Sequence, residues 1–218
     1  MAEPRPTSAV LYGYFRSSAA YRVRIALNLK GIEVEHRFVH LRKGEQRDAA
    51  FLKRNPAGLV PFWSDHRFGL SQSLAIMEYL EELHPEPPLL PGSVKDRAII
   101  REMALTICAD IHPLGNLRVL DKLTVDYGAD EVARAAWCRT WIESGFEVIE
   151  RRLATSPGRL CYGDTPTLAD VCLVPQMFNA RRFGVDLTRF PLIARTDAAL
   201  SEIEAFQKAQ PSLQPDAD

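Results

Sequence analysis

Between Pro85 and Gly92 the chain reads PEPPLLPG, which puts four of its 15 prolines into eight residues. Proline lacks a backbone N–H and fixes φ, so neither a helix nor a sheet ladder can run through such a stretch. The 218 residues therefore divide there, and each part is long enough to bury a core without metal or disulfide staples. The expected division is an α/β domain over 1–85, a proline-rich linker over 86–92 and an all-helical domain over 93–218.

Upstream of the linker the pattern alternates. Val10 to Tyr14 reads as a strand, Ser18 to Lys30 as a helix and Glu33 to Leu41 as a second extended run. Strand, helix and strand in about 30 residues predict a parallel unit. Within the helix, Ala19, Val23, Ala26 and Leu27 share a face, Arg22, Arg24, Asn28 and Lys30 fall mostly off it, and Gly31 supplies a stop. A second helical stretch, Gln46 to Lys53, leads into NPAGLVPFWSDHRFG, which reads as a loop, a strand, a turn at Ser64 to His66 and a short return strand. Pro61 cannot donate to a ladder, so its strand is expected at an edge or with a cis bond there. A third helix opens at Gln72-Ser73, carries Ile76, Tyr79, Leu80 and Leu83 as a stripe, and ends at His84-Pro85.

Downstream everything reads as helix. Asp96 to about Val125 contains Pro113 and Gly115, which predict a kink. From Ala129 onward Ile142, Phe146, Ile149 and Leu153 form a buried stripe, and Trp137 and Trp141, one turn apart, are assigned to the core. Thr167 and Asp170 have the spacing of a capping box, which assigns Asp170 to folding rather than to catalysis. The QPSLQPDAD tail is expected to be loosely held.

Charge and cysteine usage narrow the function classes. A net charge of -1 gives no bulk attraction to nucleic acid or to an anionic membrane. No apolar run approaches the roughly 20 residues that span a bilayer, and Met1 to Ala9 is too short and polar for a signal peptide, so a soluble, cytoplasmic chain is expected. The four cysteines, Cys108, Cys138, Cys161 and Cys172, make no CxxC and join no histidine pair, so neither a disulfide framework nor a metal site is expected. All four lie beyond residue 107.

A βαβ then ββα order with a proline before the third strand resembles the thioredoxin fold, yet that half carries no thiol of its own. Sulfur chemistry there needs a borrowed thiol. Several segments in order, FRSSAAYRVRIALNLKGI, NPAGLVPFW, SQSLAIMEYLEELHP, DIHPLGNLRVL, GDTPTLADVCLVPQ, ARRFGVDL and the closing QPD, resemble the zeta class of glutathione transferases. That class includes maleylacetoacetate isomerases and bacterial maleylpyruvate isomerases, and the resemblance covers nearly the whole chain. It implies a thioredoxin-like domain followed by a helical one, glutathione as cofactor, a small acidic unsaturated substrate and a homodimer, with no nucleic-acid or membrane partner.

The residues give this resemblance chemical sense. Ser17 and Ser18 stand at the expected start of the first helix, where unpaired N–H groups and the helix dipole favour an anion. An ordinary thiol is only about 3% ionised at pH 7, and lowering its pKa by about two units makes it about three quarters thiolate, worth roughly 2.7 kcal/mol. By resemblance Ser17 bonds the glutathione sulfur, with Ser18 in reserve; helix capping is the other reading of the pair. The family pattern has cysteine next, where this chain has Ala19, so hydroxyl and backbone donors must suffice. The resemblance also implies that Gln72 and Ser73 hold the γ-glutamyl end, that the backbone of Val60 pairs with the cysteinyl part as an added strand would, and that Gln46 lies near the glycyl end.

For the acidic substrate the resemblance implies Arg16, Arg118 and Arg182, since guanidinium grips a carboxylate through two parallel bonds. His112 is a candidate to orient glutathione or substrate, with space-filling beside Pro113 as the other reading, and Asn116 fits a polar contact on the same segment. The expected activity is glutathione-dependent cis-trans isomerisation of a maleyl acid, with a tilt toward a maleylpyruvate-like substrate. Two alternatives stand beside it: a broader transferase or dehalogenase of small α-halo acids, and a glutathione-binding protein without turnover, for which Ala19 is the main argument.

Overall fold

The computed structural model describes residues 9–65 and 68–217. The leader before Ala9 and His66, the end of the expected turn, lie outside the described residues. The chain forms two compact units, residues 1–87 together with 204–218, and residues 88–203.

In the first unit β1 (Val10–Gly13), α1 (Ser18–Lys30) and β2 (Glu35–Phe38) are followed by two 3-10 turns (Leu41–Lys43 and Glu45–Arg47), α2 (Ala49–Leu52), β3 (Phe62–Asp65), β4 (Phe68–Ser71) and α3 (Ser73–Leu83). The sheet order is β2-β1-β3-β4. β1 and β2 are parallel, with Leu11 opposite His36, while β3 is antiparallel to both β1 and β4. This is the expected βαβ-ββα order. Pro61 precedes β3 through a cis bond to Val60, and β3 itself is an interior strand rather than an edge. The stretch from Gln46 to Lys53 is a 3-10 turn and a single helical turn instead of one helix, because Asp48 takes extended dihedrals between them.

Helix α1 departs from expectation on its polar side. Arg22, Arg24 and Lys30 are all buried, at 1%, 6% and 9% exposure. From Ala19 to Leu27 every residue except the two arginines is apolar, and a helix apolar all round is a buried one. No solvent face was left for the charges. Lys30 ends the helix by donating to the carbonyls of His84 (2.6 Å) and Pro87 (2.9 Å) and pairing with Glu81 (2.7 Å), which ties the end of α1 to that of α3. Gly31, at φ 62°, stops α1 in the left-handed conformation that glycine adopts without penalty.

The closing segment is also not the loose tail expected. α9 (Glu204–Lys208) packs against α1, and Asn28 Nδ2 donates to the Ala205 carbonyl at 2.9 Å. A 3-10 turn follows at Pro211–Leu213. The boundary expected at 93–218 therefore misses that residues 204–218 group with the first unit.

The second unit holds α4 (Val94–Leu105), a π-turn (Thr106–Ile111), a 3-10 turn (His112–Gly115), α5 (Leu117–Tyr127), α6 (Glu131–Leu153), α7 (Leu168–Arg182) and α8 (Pro191–Ser201). The expected kink is thus a change of helix type over ten residues. Gly145 of α6 makes room for it: a Cβ there would lie 2.2 Å from Ile111 Cδ1. The α6 stripe of Ile142, Phe146, Ile149 and Leu153 is buried as the periodicity predicts. Asp170 is fully buried; its Oδ2 accepts from the Thr167 N–H and hydroxyl, both at 2.7 Å, and its Oδ1 from the Cys161 N–H at 2.8 Å. Burial pushes its carboxyl up while these bonds pull it down; Oδ2 serves the start of α7, as the capping box predicts, and Oδ1 ties the preceding loop to it at Cys161.

Candidate active site

In the first unit, two helix starts gather the candidate residues. Ser17 caps α1, and its Oγ accepts from the Ala20 N–H at 3.2 Å. The bond uses a lone pair and leaves the hydroxyl proton free to point away from the helix. Capping and donation to an anion are therefore compatible, and the two readings of this serine merge. Ser18 begins the helix proper and is buried. Ser17 N–H in turn donates to the Tyr14 carbonyl at 3.0 Å, which closes the turn that presents the serines. Arg16, within that turn, is partly exposed, with its guanidinium 5.9 Å from the Phe15 ring centre. Ala19 is buried at the second helical position.

The second start is α3, which packs against α1. Gln72 caps it with φ 74° and ψ 117°, a left-handed conformation that costs a non-glycine residue on the order of 1–3 kcal/mol and concentrates at functional sites. Ser73 follows and is buried. Its Oγ accepts from Arg22 Nη1 at 3.3 Å. Guanidinium only donates, so the Ser73 hydroxyl proton is again left for something else. Arg22 is almost fully buried, and its Nε and Nη2 have no hydrogen-bond partner among the described residues. A buried cation and a helix N-terminus stand together at Ser73, which is the electrostatics a carboxylate seeks.

Two further candidates lie in the same unit. Gln46 is buried, and its Oε1 has no partner among the described residues, the condition of a side chain whose amide is kept for a ligand. Val60 sits two residues ahead of Phe62, the first β3 residue in register with β1.

The other candidates belong to the second unit. His112 lines a small cavity with Gly115, Cys138, Trp141, Asn179 and Phe183. Trp141 packs edge-on against Trp137 and lines this cavity, and Trp137, half-buried, donates from Nε1 to the Leu114 carbonyl at 2.8 Å, holding the 3-10 turn in place. Arg182, exposed at the end of α7, stacks 5.0 Å from the ring of Phe183. Burial raises the Cys138 thiol, opposed by Arg182 and Arg134. Asn116 and Arg118 stand apart from the cavity lining: Asn116 caps α5, accepting from the Arg118 N–H at 3.3 Å, and Arg118 is exposed there.

Arg22 is the buried cation beside Ser73 that pattern reading passes over. The sign was present, in an arginine without a carboxylate neighbour on a helix apolar all round.

Residues 8–82 match the family described as Glutathione S-transferase, N-terminal domain. The chain is 50% identical over 209 residues to the maleylpyruvate isomerase of Ralstonia sp, covering 95% of this chain and 99% of that one. A solved structure described as holo maleylpyruvate isomerase, a bacterial glutathione S-transferase in the zeta class, superposes with TM-score 0.94 at 49% identity, over 96% of this chain and 100% of that one. The chain belongs to the zeta class of glutathione S-transferases. A maleylacetoacetate isomerase from Anaeromyxobacter dehalogenans 2CP-1, solved with bound dicarboxyethyl glutathione and citrate, is also similar, with TM-score 0.87 and 41% identity over 97% of this chain and 94% of that one. The zeta-class fold of a thioredoxin-like unit and a helical unit is the one expected from the sequence.

Proposed function

We propose that this zeta-class chain is a glutathione-dependent cis-trans isomerase of a maleyl acid. The observation that carries it is the pair of anion-favouring helix starts on packed helices, with Ser17 and Ser73 each accepting a bond from behind and keeping a hydroxyl proton to give. Glutathione has a thiol and a γ-glutamyl carboxylate to match such a pair. Ser73, backed by Arg22 and beside Gln72, receives the carboxylate; Ser17, with Ser18 beside it, receives the sulfur; Gln46 and the Val60 backbone take the glycyl and cysteinyl parts.

The chemistry follows from a stabilised thiolate. The sulfur adds to one carbon of the cis double bond, forming a C–S bond while the π electrons move onto the conjugated carbonyl oxygen as an enolate. The former double bond is now single and rotates. When the enolate collapses, the C–S bond breaks, the trans double bond forms and the thiolate leaves with its electron pair, so that glutathione is regenerated. Ser17 holds the charge on sulfur at the start and the end, and Arg16, Arg118 and Arg182 are assigned to the substrate carboxylates and the developing enolate. His112 and Asn116 are assigned to orienting glutathione or substrate. The dicarboxyethyl glutathione bound to the Anaeromyxobacter relative is chemically what the same kind of thiol addition, followed by protonation, leaves from maleate or fumarate.

We infer a cytoplasmic homodimer for the same protein; among the described residues no helix is long and apolar enough to cross a membrane. The test begins with binding. Glutathione added at pH 7 is expected to raise thiolate absorbance near 240 nm, and chloroacetate is expected to form little conjugate relative to turnover of maleyl acids. A conjugate accumulating with chloroacetate while maleyl acids are untouched would favour the dehalogenase reading. Binding without any turnover would favour a binding protein.

A further inference from the structure

The chain's last residues return to the turn that carries Ser17. Phe15 N–H donates to Asp216 Oδ2 at 2.9 Å, across 201 positions of sequence. The carbonyl of the Tyr14–Phe15 peptide and that of the next peptide are held as well, both by Arg24: Nη1 reaches Tyr14 O at 3.5 Å and Nη2 reaches Phe15 O at 3.0 Å. The same guanidinium grips the tail, with Nε and Nη2 donating to Ala209 O at 3.2 and 3.1 Å. Arg24 is buried, with its guanidinium 5.2 Å from the Tyr21 ring centre. One side chain thus joins the tail to the turn, and Asp216 closes the loop from the other side.

These bonds are built rather than incidental. Ala209 and Pro211 are buried, Gln214 Nε2 donates to the carbonyls of Lys208 and Gln210 at 3.0 and 2.9 Å, and Asp216 Oδ1 is buried with no partner among the described residues. A carboxylate oxygen held from water without a partner is costly, and the half-buried Asp216 offsets that through the Phe15 N–H and the nearby Arg24 charge. Phe15 lies two residues before Ser17, whose own N–H bonds Tyr14 O, so the direction of the Ser17 hydroxyl depends on where the Tyr14–Phe15 peptide is held.

We propose that Asp216 and the Ala209 carbonyl, acting through Phe15 and Arg24, are positioning residues that fix the thiol-activating turn, so that the C-terminal segment belongs to the glutathione site. The inference rests on the reading of that site as the one that ionises glutathione. Asp216 touches neither thiol nor substrate; it acts through the Phe15 N–H. Burial lowers Arg24 to about 10 against the opposing pull of Tyr21 and Asp216, so the guanidinium stays charged at neutral pH, and Asp216 faces that cation and His36.

The experiment compares full-length wild type with Asp216→Ala and Asp216→Asn. The pKa of enzyme-bound glutathione is read from thiolate absorbance against pH, alongside hydrogen exchange of the peptide spanning residues 14–18. Asp216→Ala is expected to raise the bound-thiol pKa by about one unit, which is about tenfold less thiolate well below it. It is also expected to speed exchange in that peptide while the middle of α1 stays protected. Asn keeps an acceptor oxygen for Phe15 and is expected to restore both readouts. A wild-type pKa and unchanged exchange in Asp216→Ala overturns the proposal, as does a variant that only melts earlier with the pKa unmoved. Should wild type fail to bind glutathione, the functional reading falls while the exchange still decides whether the tail holds the turn.

Discussion

Replacing Ser17 by Ala separates the two jobs its hydroxyl performs. The cap bond to the Ala20 N–H, 3.2 Å in the structure, is worth about 0.5–2 kcal/mol of stability, so the variant is expected to fold and to melt a few degrees earlier. The second job is the bond from the free hydroxyl proton to the glutathione sulfur. Bonds to a charged group contribute about 1.5–3 kcal/mol, which at 1.36 kcal/mol per unit is a rise of about 1–2 units in the bound-thiol pKa. Starting from a thiol about three quarters ionised at pH 7, the thiolate fraction falls to between about a quarter and about 3%. Turnover at pH 7 should drop by roughly 3-fold to 25-fold, and most of the loss should return at pH 9, because alkaline solution then ionises the sulfur that Ser17 no longer stabilises. The assay is the pH profile of kcat/KM paired with a thiolate titration of the glutathione complex. An unmoved pKa, or a loss equally deep at pH 9, would refute the role given to Ser17, and Ser18→Ala measured in parallel would then show whether the buried neighbour holds the sulfur.

Three other perturbations test separate parts of the account. Arg22→Met removes the cation behind Ser73 and its 3.3 Å bond; loss of one charge-assisted bond predicts roughly a 10-fold to 100-fold weaker glutathione affinity, and calorimetry giving wild-type affinity would dismiss the arrangement. Gly145→Ala places a Cβ against Ile111, and overpacking of this kind costs about 1–3 kcal/mol, so the urea midpoint should fall; an unchanged midpoint would mean the π-turn is free to shift. Asp96 is held below the ordinary carboxylate range, first by the Tyr162 hydroxyl and then by Ser93. A depressed carboxyl stabilises the fold above its unfolded pKa and loses that contribution as pH falls through the folded one, so Tyr162→Phe should flatten the loss of stability below about pH 4 in urea titrations. A curve identical to wild type would dismiss that pair.

The chain order of strands and helices and several helix termini were legible because they rest on local rules. Gly31 stops α1, Thr167 and Asp170 cap α7, and the α6 stripe repeats at helical spacing. What the sequence concealed depends on contacts far apart in the chain. Arg22 and Arg24 were expected near water from a four-residue stripe, but α1 is enclosed on all sides and each arginine is held by a distant group, Ser73 in one case and Ala209 in the other. The tail read as loose because its prolines and acidic residues carry no periodicity; its order comes from α1 and the Ser17 turn, which no local pattern records. Val60, Gln72 and Gln46 were reachable only through family resemblance, since an exposed strained glutamine and a buried unpartnered amide oxygen are properties of coordinates.

The central claim is tested most directly by following maleylpyruvate and maleylacetoacetate, each incubated with the purified protein, by absorbance with and without glutathione, and titrating the glutathione before and after. The account predicts conversion to the fumaryl isomer that requires glutathione and leaves its concentration unchanged. Isomerisation at the same rate without glutathione, or no isomerisation of either acid by protein that has bound glutathione, would contradict it.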